Sequence, residues 1–193
     1  MRPSVSTLAI YKKRFCYLED LVKNNTNIRN WEIVDEGFHG LNKRNIRNLQ
    51  EFGRIYRIEY TVHSTFSSVN LAETDPFLRK TFIQVTEKSL LNAHKLEANL
   101  FIIHPGWFTP FSYFFPEESW NAQLDSLRKL GNRAHDLGIK LVIENMLGSY
   151  SLLNSVDDAL KFVASEENIG LCLDIGHANI SGFLNSFFSR NIA

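Results

Sequence analysis

Six short apolar runs punctuate the chain: Val5–Ile10, Trp31–Val34, Ile55–Val62, Leu100–Ile103, Ile139–Ile143 and Ile169–Leu173. The last three are almost continuously apolar, a pattern that predicts strands covered on both faces of a parallel sheet. Longer amphipathic segments lie between the runs. Thr74-Asp75-Pro76 offers a helix cap with proline in the first turn, and Phe77, Leu78, Phe82, Val85, Leu90 and Leu91 follow at mostly helical spacing. Leu124, Leu127, Leu130, Ala134 and Leu137 mark one face of a helix that Ser119 is expected to cap and Gly138 to end. Ser155-Val156-Asp157-Asp158 resembles a capping box ahead of a further helix. Strands alternating with helices imply βαβ units with right-handed crossovers.

The expected fold is therefore α/β, with about six units over residues 1–193 read as a single domain. A closed (β/α) barrel takes eight strands and about 250 residues, so a TIM-barrel-like reading has six of eight βα units and is incomplete. A doubly wound open sheet would fit the count, but the chemistry at the ends of the runs favours the barrel. No Gly-x-Gly-x-x-Gly follows the first run, which removes the main sequence argument for a dinucleotide-binding sheet.

With 44% hydrophobic and 22% charged residues, the chain can build a sizeable core. Its 21 basic and 21 acidic residues cancel, which disfavours a strongly basic nucleic-acid binder or a polybasic membrane binder. The short basic cluster Lys43-Arg44-Asn45-Ile46-Arg47 reads as the solvated face of a helix. No apolar run reaches the ~18 residues that span a bilayer, and Met1–Ser6 lacks a signal-peptide pattern. Cys16 and Cys172 are the only cysteines, and Cys172 sits in an apolar run where a buried thiol is expected, so a reducing cytoplasm is the expected compartment.

The chemistry concentrates where the runs end. Tyr60-Thr61-Val62 ends in His63, Phe101-Ile102-Ile103 in His104, Leu141-Val142-Ile143 in Glu144 and Leu171-Cys172-Leu173 in Asp174, with His177 three residues later. In a parallel barrel all strand C-termini meet at one face, so residues 41, 40 and 30 positions apart converge there. Two imidazoles, two carboxylates and His177 make a mixed nitrogen and oxygen donor set. That set suits Zn2+ or Mn2+, with Mg2+ and Fe2+ as alternatives, better than Ca2+. His39, His94 and His135 fall in a loop and on helices and are expected to be solvated or packing residues.

His63-Ser64-Thr65-Phe66, Ile103-His104-Pro105-Gly106, Ile143-Glu144-Asn145-Met146 and Leu173-Asp174-Ile175-Gly176-His177-Ala178 resemble the xylose-isomerase-like TIM-barrel superfamily. That group holds sugar isomerases and epimerases and the endonuclease-four type of apurinic/apyrimidinic endonuclease. In the endonuclease branch, the resemblance implies that His63, His104 and Glu144 hold one metal, that Glu144 and Asp174 hold a second, and that His177 binds a third. In the isomerase branch it implies one divalent metal on Glu144 and Asp174 plus a later histidine and a later glutamate, with Glu144 also a proton-transfer base. Glu36 is a weaker match to an acid near the site. The family pattern continues for two more strands, whereas this sequence stops at Ala193. A longer parent protein, a completing partner or lost activity are the expectations that follow. Unpaired first and sixth strands would favour a homo-oligomer.

After His104 comes an aromatic loop, Trp107-Phe108-Thr109-Pro110-Phe111-Ser112-Tyr113-Phe114-Phe115-Pro116, with six aromatics in ten residues. Trp107 and Phe108 are candidates for a substrate wall that stacks on a sugar ring, with packing or an interface as the alternative. Three functions compete. The first is a metal-dependent isomerase or epimerase of a small-molecule sugar or sugar phosphate. The second is phosphodiester hydrolysis at abasic sites, which makes nucleic acid the less favoured partner. The third is a non-enzymatic remnant or binding module. No membrane partner is expected.

Overall fold

The computed structural model describes residues 3–166 and 168–189. Each apolar run supplies one strand: β1 (Val5–Ser6), β2 (Asn30–Val34), β3 (Glu59–His63), β4 (Leu100–Ile103), β5 (Lys140–Glu144) and β6 (Gly170–Cys172). All pairings are parallel and follow chain order, β1-β2-β3-β4-β5-β6. Helices fill the crossovers: α1 (Phe15–Asn24), α2 (Lys43–Tyr56), α3 (Pro76–Lys95), α4 (Pro110–Phe114), α5 (Pro116–Asp136), α6 (Val156–Ser165), α7 (Ile175–Ile180) and α8 (Leu184–Ser189). Six consecutive parallel strands with alternating helices are a TIM-barrel-like arrangement. The open doubly wound alternative is set aside, because that fold reverses its strand order at a switch point.

Strand residues alternate between two faces. Trp31, Ile33, Tyr60, Val62, Phe101, Ile103, Leu141 and Ile143 face outward and form one buried cluster with Leu18, Leu49, Leu90, Leu127 and Phe162 of the helices. The opposite, inward set includes Ser6, Glu32, Val34, His63, Ile102, Glu144 and Cys172, which line one cavity. The hydrophobic core thus lies between sheet and helices, and the polar residues are left to the barrel interior.

Several sequence boundaries shift for local reasons. Val5–Ile10 contains only a short strand, because Thr7–Ile10 winds into a 3-10 turn capped by the Ser6 hydroxyl. Ile55 and Tyr56 belong to α2, which Asn42 caps through Arg44 N and Asn45 N and which Arg57 stops in the left-handed region at φ 54°. Ser119 does not cap α5. That helix begins at Pro116 with Glu117 and Glu118 in its first turn, and the buried Ser119 hydroxyl donates to the Ala72 carbonyl at 3.1 Å. Asp75 and Ser155 do cap α3 and α6, and Gly138 follows α5 at φ +69°. The run at β6 is only half-buried, because it pairs with β5 alone among the described residues. Cys172 is accordingly half-buried and Cys16 exposed, and both are free thiols. His39 is packed rather than solvated, with Nε2 3.0 Å from the Lys13 carbonyl, whereas His94 and His135 are exposed. No helix among the described residues is long and apolar enough to cross a membrane.

The loop after β4 is tied down at Gly106. Its N–H donates to the Gln123 side chain at 2.7 Å, and a Cβ there would lie 2.3 Å from the Ala72 backbone nitrogen and 2.4 Å from Asn70 Oδ1. Backbone cannot yield as a flexible side chain can. Gly106→Ala is expected to cost roughly 1–3 kcal/mol, the range for overpacking, and to lower the melting temperature by several degrees. Differential scanning calorimetry checks this; an unchanged melting temperature would show that the loop relaxes freely.

Candidate metal centre

The parallel register sets which side chains meet. His63 sits level with Val34 on one side and Ile102 on the other, and Glu144 sits level with Cys172. His104 follows β4 two residues beyond Ile102, so it continues the same inward row. The stagger between neighbouring strands brings the three ligand candidates to one level.

Their atoms converge closely. His63 Nε2 lies 3.1 Å from His104 Nε2 and 3.3 Å from Glu144 Oε2, and His104 Nε2 lies 3.5 Å from that same oxygen. His63 Nδ1 is 2.9 Å from the Ser64 carbonyl, which can only accept, so Nδ1 carries the hydrogen and a neutral ring directs its Nε2 lone pair inward. Two imidazole nitrogens and a carboxylate oxygen facing one another need a shared cation or proton between them. With metal–ligand bonds of ~2.0–2.2 Å, a tetrahedral site has ligand–ligand edges of roughly 3.3–3.6 Å. The observed edges of 3.1, 3.3 and 3.5 Å fit a divalent ion held by His63, His104 and Glu144.

The protonation states agree with this reading. Burial alone would raise Glu144, but its hydrogen bonds and charge interactions with His104 and His63 hold it well below the usual carboxylate range. Burial would lower His63, yet Glu144 and the Ser64 carbonyl outweigh it and the ring is held above its ordinary value. Protonation of His63 and binding of a cation therefore compete for the same donor atoms.

A second donor group shares Glu144. Its Oε1 lies 3.5 Å from His177 Nδ1, which in turn is 3.8 Å from Asp174 Oδ2. This group is less ready as placed. His177 Nδ1 is 2.9 Å from the Asn145 carbonyl and so carries a hydrogen, and Asp174 Oδ1 is occupied capping α7 through His177 N at 2.7 Å. All five sequence candidates therefore line one cavity, three as a tight triangle and two as a looser extension.

Three supporting residues carry no signal of their own in the apolar pattern. Asn145 staples β5 to the end of β6, taking the Asp174 N–H at 2.6 Å and donating to its carbonyl at 3.1 Å. Phe66 covers the imidazoles, its ring centre 5.4 Å from that of His63 and 5.0 Å from that of His104. Glu32 enters the cavity from β2. Trp107 and Phe108 are not among the cavity-lining residues. Trp107 is bonded through its backbone to the Asn70 side chain at 2.9 and 3.1 Å, and Phe108 packs against the hydrophobic core. Phe111, Tyr113, Phe114 and Phe115 of that loop are exposed. Glu36 also lies off the cavity, accepting from Ser67 N at 3.4 Å.

Comparison with known proteins gives the family and the fold. The sequence model of the family described as xylose isomerase-like TIM barrel matches residues 27–192, and the chain belongs to that family. An uncharacterized protein of Methanocaldococcus jannaschii is 31% identical over 155 residues, covering 79% of this chain and 53% of that protein. A probable endonuclease 4 of Thermoplasma acidophilum is 26% identical over 135 residues, covering 67% of this chain and 44% of that one. The crystal structure of a D-tagatose 3-epimerase-like protein superposes with a TM-score of 0.90 at 28% identity, covering 98% of this chain and 71% of that chain. The chain spans about half the length of the curated relatives it matches first.

The triangle generates a pH signature. The raised His63 contributes stability to the metal-free chain that is full below its ordinary value of 6.5 and is lost as pH rises through its folded value. The depressed Glu144 contributes stability that is full above its ordinary 4.5 and is lost as pH falls. A metal competes with protonation of these donors, so the rise in melting temperature on adding Zn2+ is expected to be larger at pH 7.5 than at pH 5.5. Thermal melts at both pH values check this; an equal or larger shift at the lower pH would contradict binding at these donors.

Proposed function

We propose that this member of the xylose isomerase-like TIM-barrel family is a divalent-metal-dependent isomerase or epimerase of sugars or sugar phosphates, acting by proton transfer next to a carbonyl. The observation that carries the reading is Glu144 and Asp174 together in a cavity of about 580 Å³ with no Lys or Arg among the described residues of its lining. That volume suits a small ligand, for which ~300–1,000 Å³ is usual. The high structural similarity to a D-tagatose 3-epimerase-like protein supports a ketose as the substrate class.

His63, His104 and Glu144 would hold the ion, with Asp174 and His177 adjacent. Zn2+ or Mn2+ fits the donors best, with Mg2+ and Fe2+ as alternatives. A bound divalent ion supplies Lewis acidity to a carbonyl and its neighbouring hydroxyl oxygen. The chain's own residues do the rest. Glu144 stays ionised, with Oε2 turned to the imidazoles and Oε1 on the side of His177, so Oε1 is the atom placed to take the proton from carbon. Phe66 shields the imidazoles from water, and Leu8, Val34, Ile102 and Met146 give the cavity apolar surface for the carbon face of a sugar. Trp107 and Phe108 retain a role at the substrate only if the loop after β4 moves over the cavity.

The His63–His104–Glu144 triangle favours a second reading, hydrolysis of abasic-site DNA, because the resemblance implies that set for the endonuclease branch. Glu144 belongs to both donor groups, an arrangement suited to neighbouring metals that flank a phosphodiester. The cavity lining, with no Lys or Arg among the described residues, opposes it, because phosphate backbones are held by Lys and Arg. A binding module without turnover is the third outcome.

NMR of D-tagatose, D-psicose and D-fructose incubated with Mn2+-loaded chain in D2O distinguishes the three. Deuterium is expected at the carbon beside the carbonyl, and Glu144→Gln is expected to slow its appearance by about 10²-fold or more. Nicking of abasic duplex DNA without sugar exchange would select hydrolysis. Metal uptake with neither activity would leave the binding module.

A further inference from the structure

Glu32 is a carboxylate inside the barrel that the metal triangle does not use. It pairs in register with Ser6 on β1 and Thr61 on β3, two residues before His63. At ~3.3 Å per residue it therefore lies roughly 6–7 Å deeper along the strands than His63. Glu32 and Ser6 line the same cavity as His63, His104 and Glu144, so one continuous space has metal donors at one end and this carboxylate at the other. The Ser6 hydroxyl donates to Glu32 Oε1 at 2.5 Å and fixes the head group. Oε2 takes no hydrogen bond from any described residue, and Glu32 forms no ion pair among them. A half-buried carboxylate without a cation is costly to retain unless a donor reaches it.

We infer that Glu32 is a second anchoring point of the site, with Oε2 accepting a hydroxyl from the end of the substrate remote from the metal. The inference rests on the sugar reading above and extends it, because it assigns chain-length selectivity to a named residue. A ketohexose has hydroxyls far enough from its carbonyl to reach Glu32. A four-carbon ketose held at the metal does not.

The test uses the whole chain at saturating Mn2+, with D-psicose and erythrulose as probes and calorimetric titration as the readout. Glu32→Gln keeps the shape, keeps an oxygen for Ser6 and removes the charge. A hydrogen bond to a charged group is strong enough that the preference for D-psicose over erythrulose is expected to fall by about tenfold or more, with erythrulose affinity little changed. Equal weakening of both sugars would mark Glu32 as an electrostatic support of the metal end and overturn the anchor. An unchanged preference would overturn it as well. Should Glu32→Gln fail to melt cooperatively, Ser6→Ala leaves the carboxylate in place but releases its head group. A smaller fall in the same preference is then expected, and none would overturn the inference. Wild-type chain that binds neither sugar would sink the sugar reading and the anchor with it, whereas sugar binding that ignores Glu32 sinks the anchor alone.

Discussion

The hydrogen bond from His63 Nδ1 to the Ser64 carbonyl is short in sequence and large in consequence. It fixes which ring nitrogen is protonated and so turns a lone pair toward His104 and Glu144. Without it the ring could satisfy the Glu144 carboxylate as a simple donor, and the three atoms would not form a donor set for a cation. With it, three atoms that would otherwise repel or go unsatisfied are held about a common centre, and burial of Glu144 at 8% exposure raises the cost of leaving them so.

The fold makes that arrangement affordable. Outward strand residues bury against the helices, so stability is built on the far side of the sheet from the chemistry. The inward face is free to carry Ser6, Glu32, His63 and Glu144. The candidate ligands sit at strand ends, where the backbone is still fixed by sheet hydrogen bonds. Ser64 N donates to the Ile102 carbonyl and Asn145 N to the Cys172 carbonyl, so the residue after each of two candidates is itself tied to the next strand. A site on strands held this way keeps its geometry better than one on free loops.

Much of this was legible in the sequence, and the reasons are specific. Buried parallel strands read as apolar runs, so a polar residue that ends one stands out, as His63, His104, Glu144 and Asp174 do. Helix caps at Asp75 and Ser155 were legible because side-chain capping is local chemistry. Ile55 was misplaced because an amphipathic helix end running into a strand gives one unbroken apolar signal. The half-burial of β6 was hidden because apolar composition reports neighbours in the sheet only on average. Asn145 and Phe66 lay inside recognised motifs, yet their jobs, stapling β6 and covering the imidazoles, exist only in three dimensions. Glu32 was invisible for the opposite reason: one acid inside the short run Trp31–Val34 looks like ordinary alternation until the register turns it inward. The aromatic loop misleads in composition, since Phe108 packs against the core while Phe111, Tyr113, Phe114 and Phe115 are exposed.

The most direct measurement is crystallographic: the chain grown with Mn2+, with anomalous difference density collected near the manganese edge. The expected result is a peak ~2.0–2.3 Å from His63 Nε2, His104 Nε2 and a Glu144 oxygen together. Density bound elsewhere, or none beside these three atoms at full Mn2+ saturation, would contradict the assignment of a metal centre at the strand ends.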